Sequence, residues 1–263
     1  MKDKPRIGLA LGSGASRGLA HIGVLQVLEE HEIYPDYIAG SSIGAIVGAL
    51  YAAGVKPGMM EGIAKNIDIK GYYDFKVPRQ GFIQGKRLEE LMRLLTGDRT
   101  FEDLKIPLCI TAVDLIKCET IILNQGKVYK AIRASISIPG IFTPVYEGGR
   151  VLVDGGLLER VPIGVVEKMG ADIIIGVDVG FRGEHRVPSS ILEIILQSID
   201  VMGLEILKNR VKGDEILICP SVNSINPMDF YQVDECIYQG RKAAEEAIDK
   251  ILEKIENFKR EDN

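Results

Sequence analysis

A serine enclosed by two glycines is the residue of this chain best suited to nucleophilic chemistry. Residues Gly40 to Gly44 read Gly-Ser-Ser-Ile-Gly and fit the pattern G-x-S-x-G, between a predicted strand and a predicted helix. A sharp turn at such a junction lifts the serine oxygen above the sheet, and the helix N-terminus behind it favours negative charge. A side chain at Gly40 or Gly44 would crowd the neighbouring segments. The pattern predicts a nucleophile at Ser42, with a structural turn as the alternative.

A nucleophilic serine needs a proton acceptor, and Asp154 is the first candidate. It follows the apolar residues Val151 to Val153 and precedes Gly155 and Gly156, which allow the chain to turn sharply. An aspartate in this position is often only part of a turn. Because this carboxylate leaves the same predicted sheet as Ser42, we expect it to act as the base.

Histidine is the usual acceptor, so the three histidines are alternatives to Asp154. His21 lies near the start of the first predicted helix and is the best placed for a histidine-based triad, although we expect it to pack or hydrogen-bond locally. His185 alone follows the serine, acid, histidine order of full triads. His31 ends the first helix, where positive charge suits the helix dipole. Neither His31 nor His185 follows a strand, so Asp154 stays the preferred base.

The glycine-rich loop Gly12 to Gly18 links the first predicted strand to the first helix. Consecutive backbone N–H groups in such a turn can point at an anion. A dinucleotide site would need G-x-G-x-x-G, but Arg17 stands where the third glycine belongs, and the P-loop pattern is absent. Arg17 itself would attract a phosphate headgroup or satisfy nearby carbonyls. Taken alone, the loop leaves a nucleotide site or a plain connection open.

Apolar runs alternate with segments of helical period, a pattern that predicts an α/β fold with a mainly parallel sheet. Sheets of this type carry their sites at the carboxyl ends of strands. The less regular segment Pro57 to Gly85 reads as an insertion that covers a site. The predicted strands are Arg6 to Leu11, Tyr37 to Gly40, Leu108 to Leu115, Thr120 to Leu123, Val151 to Asp154, Ile173 to Val179 and Ile216 to Cys219. The predicted helices are Leu19 to His31, Ile43 to Ala53, Lys86 to Thr96, Ile163 to Met169, Ser190 to Arg210 and Tyr231 to Phe258.

Composition narrows the class of protein. With 263 residues and 46% hydrophobic content, the chain can bury a full core, and one domain over residues 1–263 is expected. A net charge of -5 without a basic stripe argues against a nucleic-acid partner. Four scattered cysteines and three histidines predict reduced thiols and no metal site.

Three apolar stretches bear on membranes and location. The run Ile38 to Val55 has no charge, but its glycines favour a strand, a turn and a buried helix over a membrane span. The apolar run after Arg6 breaks at once into glycines, so it reads as a strand and a cytoplasmic location is expected. The stretch Ser190 to Val211 is dense enough in apolar residues for peripheral contact with a membrane surface. Core packing and a dimer interface are the alternatives, and the oligomeric state stays open.

The chain contains, in this order, a glycine-rich loop with arginine, G-x-S-x-G and D-G-G. This combination resembles the patatin-like phospholipase family and its small bacterial members. The resemblance runs from about Arg6 to Gly180, with C-terminal helices from about 188 to 258 beyond it. It implies a three-layer α/β/α sandwich and a Ser-Asp dyad without histidine or cofactor. It assigns Ser42 as nucleophile, Asp154 as base and the amides of the turn Ser13-Gly14-Ala15 as the oxyanion hole.

Two residues depart from the family pattern. Ala15 stands where relatives commonly carry glycine, at a position where the backbone would need positive φ. Arg160 stands where relatives often have a polar amide before Val-Pro. The segment Ala134 to Gly140 is similar to a family segment that packs near the site.

The implied function is a serine acyl-ester hydrolase of the phospholipase A, lysophospholipase or esterase type, acting on a lipid or acyl ester through an acyl-enzyme. One alternative is an acyltransferase that passes the acyl group on Ser42 to a thiol or alcohol. Another is a regulatory or adaptor protein that keeps the fold but has little turnover. A nucleotide-binding module comes last, because it gives Gly40 to Gly44 and Asp154 no purpose.

Overall fold

A twisted sheet carries the loops singled out above. The computed structural model describes residues 4–74, 81–183 and 187–261, and within them eight strands form one sheet in the order β10-β9-β1-β2-β4-β8-β7, with β5 also paired to β4. A separate pair joins β3 and β6. The strands are β1 Ile7–Leu11, β2 Tyr37–Ser41, β3 Gly81–Ile83, β4 Leu108–Asp114, β5 Glu119–Leu123, β6 Gly140–Phe142, β7 Val145–Glu147, β8 Arg150–Asp154, β9 Ile173–Val177 and β10 Ile216–Ile218.

Helices cover both faces of this sheet. On one face α1, α2, α5 and α8 share the main core with the strands, and on the other α6 packs with Leu207 near the end of α7. The three-layer α/β/α prediction is therefore confirmed. The helices are α1 Ala20–Glu30, α2 Ile43–Ala52, α3 Pro57–Asn66, α4 Lys86–Leu95, α5 Val128–Ser135, α6 Ile163–Lys168, α7 Ile191–Arg210 and α8 Val233–Glu261.

Residue size along the central strands sets the spacing of the layers. Successive side chains of a strand point to opposite faces. In β1, Leu9 and Leu11 belong to the main core, whereas Ala10 belongs to the cluster under α6. The large side chains of β1 thus face the main core, and the small one faces α6.

The strand that carries Asp154, β8, runs against the expected direction, as does β5. The pairs from β10 to β4 are parallel, but β8 pairs antiparallel with β4. Asp154 therefore does not leave the carboxyl edge that the parallel pattern predicts. The apolar run Val151 to Val153 signals a strand but carries no information on its direction.

The reversed strand nevertheless brings Asp154 to the serine. β2 pairs with the first part of β4, up to Ser41 beside Thr111, and β8 takes over at Ala112, which lies beside Asp154. Both strands lie on the same edge of β4, because β5 occupies the other edge. With opposite directions, the carboxyl ends of β2 and β8 meet head to head.

The uncharged run Ile38 to Val55 forms β2 and the buried helix α2, as predicted. Among the residues that the structure describes, no helix has both the length and the apolar character needed to cross a bilayer.

Candidate active site

Ser42 occupies a strained turn between β2 and α2. Its φ of 53° and ψ of -122° lie outside the regions that residues with a side chain normally adopt. Such strain persists only where the surroundings hold it. The Ser42 N–H donates to Ser135 Oγ at 2.9 Å, and Ser42 O accepts from the amides of Ala45 and Ile46 in the first turn of α2. The turn is thus anchored on both sides.

The two motif glycines make this turn possible by close approach. A β-carbon on Gly40 would lie 2.5 Å from Gly44 O, and one on Gly44 would lie 2.1 Å from Leu11 O. Both contacts involve backbone, which has no flexible side-chain end to move. The spacing G-x-S-x-G therefore lets α2 start directly against β1.

Replacing Gly44 by alanine is expected to destabilise the fold by about 2 kcal/mol or more, because the added methyl group needs a backbone shift. Gly164→Ala is the matched control, since nothing lies within 4 Å of a β-carbon there. Alanine in that helix should be neutral or stabilising by up to about 1 kcal/mol. Urea unfolding of both variants measures the difference, and equal midpoints would contradict the close approach at Gly44.

Ser42 and Asp154 are joined by a short hydrogen bond. Ser42 Oγ donates to Asp154 Oδ2 at 2.6 Å, and both residues are only 4% exposed. The other carboxylate oxygen accepts from Gly156 N at 2.7 Å, and Asp154 N donates to Ser137 O at 3.0 Å. The carboxylate is held in place by its own turn and by the segment after α5.

Burial raises the pKa of Asp154 to about 7. The hydrogen bonds from Ser42 and Gly156 oppose this rise, and the nearby carboxylate of Asp200 adds to it. Burial disfavours the charged form of an acid, whereas donated hydrogen bonds favour it. A carboxyl with a pKa near neutrality can exchange a proton at physiological pH.

The glycine-rich loop lies beside this pair. Ser13, Gly14 and Ala15 line the same small cavity as Ser42 and Asp154, which we call the Asp154 cavity. The Ser13 amide donates to Arg160 O at 2.8 Å, so it is occupied within the protein. In the described part of the chain, the amides of Gly14 and Ala15 have no such acceptor. Ala15 has a φ of 52°, the positive value expected of this position.

The structure pairs the Ser42 hydroxyl with Asp154 and not with His21. His21 is fully buried and its Nε2 bonds Gly12 O at 2.8 Å, while burial lowers its pKa to about 4. His21 is thus a neutral support of the glycine loop, and Ser42 Oγ bonds Asp154 instead. His31 caps the end of α1. His185 lies outside the described residues.

Arg17 points into the protein. Its side chain is 4% exposed, its Nε donates to Ile225 O at 3.0 Å and its Nη1 to Asp200 Oδ2 at 3.1 Å. These contacts agree with the interpretation that Arg17 binds nearby carbonyls. The burial of its side chain leaves little access for a phosphate group. Arg160 is also buried, and its guanidinium binds both oxygens of Asp178 at 2.8 and 3.2 Å.

A second, larger cavity begins at Ser42. It holds about 150 Å³, and apolar residues of α2, α3, α4 and the segment after α5 surround it; we call it the apolar cavity. It shares Ala15, Ser42 and Ile138 with the Asp154 cavity. Part of its wall comes from the insertion at Pro57 to Gly85, where α3 contributes Met60. The described part of that insertion covers the site, as expected.

Comparison with known proteins agrees with this geometry. A sequence model described as patatin-like phospholipase matches residues 9–166. The chain belongs to the patatin-like phospholipase family. An uncharacterized NTE family protein of Mycobacterium tuberculosis is 38% identical over 178 residues, which are 66% of this chain and 49% of that protein. The lysophospholipase NTE1 of Debaryomyces hansenii is 35% identical over 272 residues, 91% of this chain and 18% of that protein.

Solved structures share the patatin-like fold at low identity. VipD from Legionella pneumophila has a TM-score of 0.68 at 13% identity, over 94% of this chain and 67% of that one. The type III effector ExoU has a TM-score of 0.52 at 15% identity, over 94% and 53%. These matches support the fold alone. The chain spans about half the length of the mycobacterial relatives.

Two residues near Ser42 and Asp154 have no motif of their own. Ser135 supports the Ser42 amide, and only its place in the family-like segment Ala134 to Gly140 pointed to it. Asp200 lies mid-helix in α7, where nothing in its sequence neighbourhood marks a site residue. Within the described residues, no cluster of three or more His, Cys, Asp or Glu is arranged to hold a metal ion.

Proposed function

We propose that this patatin-like chain hydrolyses acyl esters of lipids with Ser42 as nucleophile and Asp154 as base. The observation that carries the proposal is the 2.6 Å hydrogen bond between Ser42 Oγ and Asp154 Oδ2, at the point where an apolar cavity begins. The family match and the lysophospholipase relative support a lipid substrate.

The reaction has two halves. Asp154 takes the Ser42 proton as Oγ attacks the ester carbonyl, and the tetrahedral intermediate collapses when the protonated Asp154 gives its proton to the leaving alcohol. Water then enters, Asp154 takes one of its protons, and the hydroxide attacks the acyl-enzyme. Release of the fatty acid returns the proton to Ser42.

The oxyanion donors in this proposal are the amides of Gly14 and Ala15, because the Ser13 amide already binds Arg160 O. Backbone N–H groups aimed at the developing oxyanion are worth about a hundredfold to a thousandfold in rate each. This assignment is supported by Gly14 and Ala15 lining the Asp154 cavity together with Ser42.

The apolar cavity is the proposed site of the acyl chain. An apolar cavity of about 150 Å³ holds a benzene-sized ligand, so the enclosed part accepts about six carbons. Each buried methylene contributes about 0.8 kcal/mol, which is roughly fourfold in kcat/KM. Turnover should therefore rise steeply from acetyl to about hexanoyl or octanoyl esters.

The direct test is hydrolysis of a p-nitrophenyl ester series, followed by lysophospholipids. Fatty-acid release is measured with and without an alcohol acceptor. Free fatty acid as the product supports the hydrolase, whereas acyl transfer to the acceptor at the expense of free acid identifies the acyltransferase. No turnover of any ester, together with no fluorophosphonate labelling, favours a regulatory or adaptor role.

Met60 is the residue with which chain length can be tested. It is 2% exposed and lines the apolar cavity, whereas its neighbour Met59 is 61% exposed. Met60→Ala enlarges the cavity and should move the optimum to esters longer by about two to three carbons. Met59→Ala is the matched control and should keep the wild-type optimum. An optimum that stays in place in both folded variants would contradict the acyl-chain assignment.

Peripheral membrane contact is proposed for the outer face of α7. Ile191, Ile194, Val201 and Met202 are exposed there at helical spacing. The opposite face of the same helix lines the Asp154 cavity through Leu196 and Ile199.

Flotation with phosphatidylcholine vesicles tests this contact. The wild-type protein should float with the vesicles, and Ile194→Asp should reduce the bound fraction severalfold. The charge would have to enter the lipid interface. Glu205→Gln, an exposed change on the same helix, should float like the wild type. Wild-type protein that remains wholly in the unbound fraction would reject the contact.

A further inference from the structure

A second carboxylate faces the dyad. Asp200, in the middle of α7, lines the Asp154 cavity together with Ser42 and Asp154. Its side chain is 15% exposed, so it is mostly buried but still reaches the cavity. Asp200 carries no proton in the proposed reaction. Another role must therefore explain why this carboxylate is buried beside the site.

The contacts of Asp200 lead to both ends of the glycine-rich loop. Its Oδ2 accepts from Arg17 Nη1 at 3.1 Å, and Arg17 lies just after the loop amides. Its backbone oxygen accepts from Arg160 Nη1 at 2.7 Å. The backbone carbonyl of Arg160 in turn accepts a hydrogen bond from the Ser13 amide at 2.8 Å. The loop between Ser13 and Arg17 is therefore tied to α7 at its start and at its end.

These ties hold a loop that is strained by itself. Ala15 has a φ of 52°, which a residue with a side chain adopts at an energetic cost. Backbone in such a conformation persists when its surroundings over-determine it. Catalysis by amide donors also depends on placement, since an error of about 1 Å can lower a rate about a hundredfold.

We propose that Asp200 is a positioning residue that fixes the oxyanion loop on α7 through its ion pair with Arg17. The inference rests on the proposed function, because it concerns the loop of that same site. Asp200 contacts no reacting atom and acts through Arg17. The burial of both partners matters here, because breaking a buried ion pair by removing one charge costs more than breaking an exposed one.

The signature of this role is a loss of kcat at nearly constant KM. The oxyanion forms only in the transition state, and the acyl chain binds in the apolar cavity, away from Asp200. Asp200→Asn is therefore expected to lower kcat by about tenfold to a hundredfold and to change KM by less than about twofold. Glu205→Gln is the matched control: it removes an exposed acid from the same helix, with a side chain that is 69% exposed. This control should keep wild-type kinetics.

A double-mutant cycle with Arg17→Gln tests the route through Arg17. Each single variant removes one charge of the Arg17–Asp200 ion pair, whereas the double variant D200N/R17Q removes both charges. The loss of kcat in the double variant should thus be no larger than in the worse single variant. Circular dichroism and thermal unfolding establish that each variant is folded.

Two results would overturn the proposal: a kcat of Asp200→Asn within about twofold of Glu205→Gln, or losses that multiply in the double variant. A wild-type protein and a Glu205→Gln variant without ester turnover would instead reject the proposed function. The two failures are therefore distinguishable in one set of assays.

Discussion

Replacing Ser42 by alanine is expected to lower kcat for ester hydrolysis by about 10⁴-fold or more, to the background of the assay. The variant keeps the fold, because the Ser42 amide, and not its hydroxyl, holds the turn to Ser135. Ser42 Oγ is the atom that would form the acyl-enzyme, so no covalent intermediate can accumulate. Stopped assays with a hexanoyl or octanoyl p-nitrophenyl ester measure the loss.

The neighbouring serine provides the control. Ser41 is fully buried at the end of β2, and its hydroxyl has no hydrogen-bond partner among the described residues. Ser41→Ala removes one oxygen from the same segment and should keep activity within about twofold. Equal activity of S42A and the wild type would reject Ser42 as the nucleophile, and equal loss in both serine variants would indicate damage to the turn instead.

Replacing Asp154 by asparagine is expected to lower kcat about 10²- to 10⁴-fold. The amide fills the same space and can still accept from Gly156 N, but it cannot take the Ser42 proton. Asp114→Asn is the control, since Asp114 is equally buried in the same sheet and its carboxylate bonds the amides of Ile116 and Val151. If the Asp154 and Asp114 variants lose the same activity, the base is not Asp154.

The pH profile gives the same test without mutation. Asp154 must be ionised to act as base, and burial raises its pKa to about 7. Activity should therefore fall about tenfold per unit below about pH 7 and level off above it. The contribution of Asp154 to folding stability changes with pH in the opposite direction to activity. The folded protein holds the Asp154 proton more tightly than the unfolded chain does. This stabilisation is therefore present at acid pH and is lost as the pH rises through about 7. In D154N this loss should disappear.

Much of the site could be predicted from residue types. The strands and helices around Ser42 and Asp154 fall close to the predicted bounds, because β1, β2 and α2 have strong apolar runs that end in glycines. The sequence pattern does not predict α3 or α5, since Pro57 to Gly85 is rich in glycine and charge, and Val128 to Ser135 is short. The strands β3, β6 and β7, with three residues each, carry too little pattern to predict.

Spatial relations between distant segments were harder to predict. The direction of β8 depends on its partner β4, which an apolar run cannot specify, yet it decides that Asp154 meets Ser42 head to head. Asp200 contacts Arg17 across 183 positions of the chain. Both features are set by packing between distant segments, so they cannot be predicted from sequence periodicity. The cytoplasmic location and the single-domain organisation stay predictions.

In the proposed reaction Ser42, activated by Asp154, forms a covalent intermediate. Labelling with a fluorophosphonate probe, followed by peptide mapping, tests it most directly. One adduct on Ser42 is predicted, with slow labelling in D154N and none in S42A. An adduct on another residue, or labelling of S42A at the wild-type rate, would contradict it.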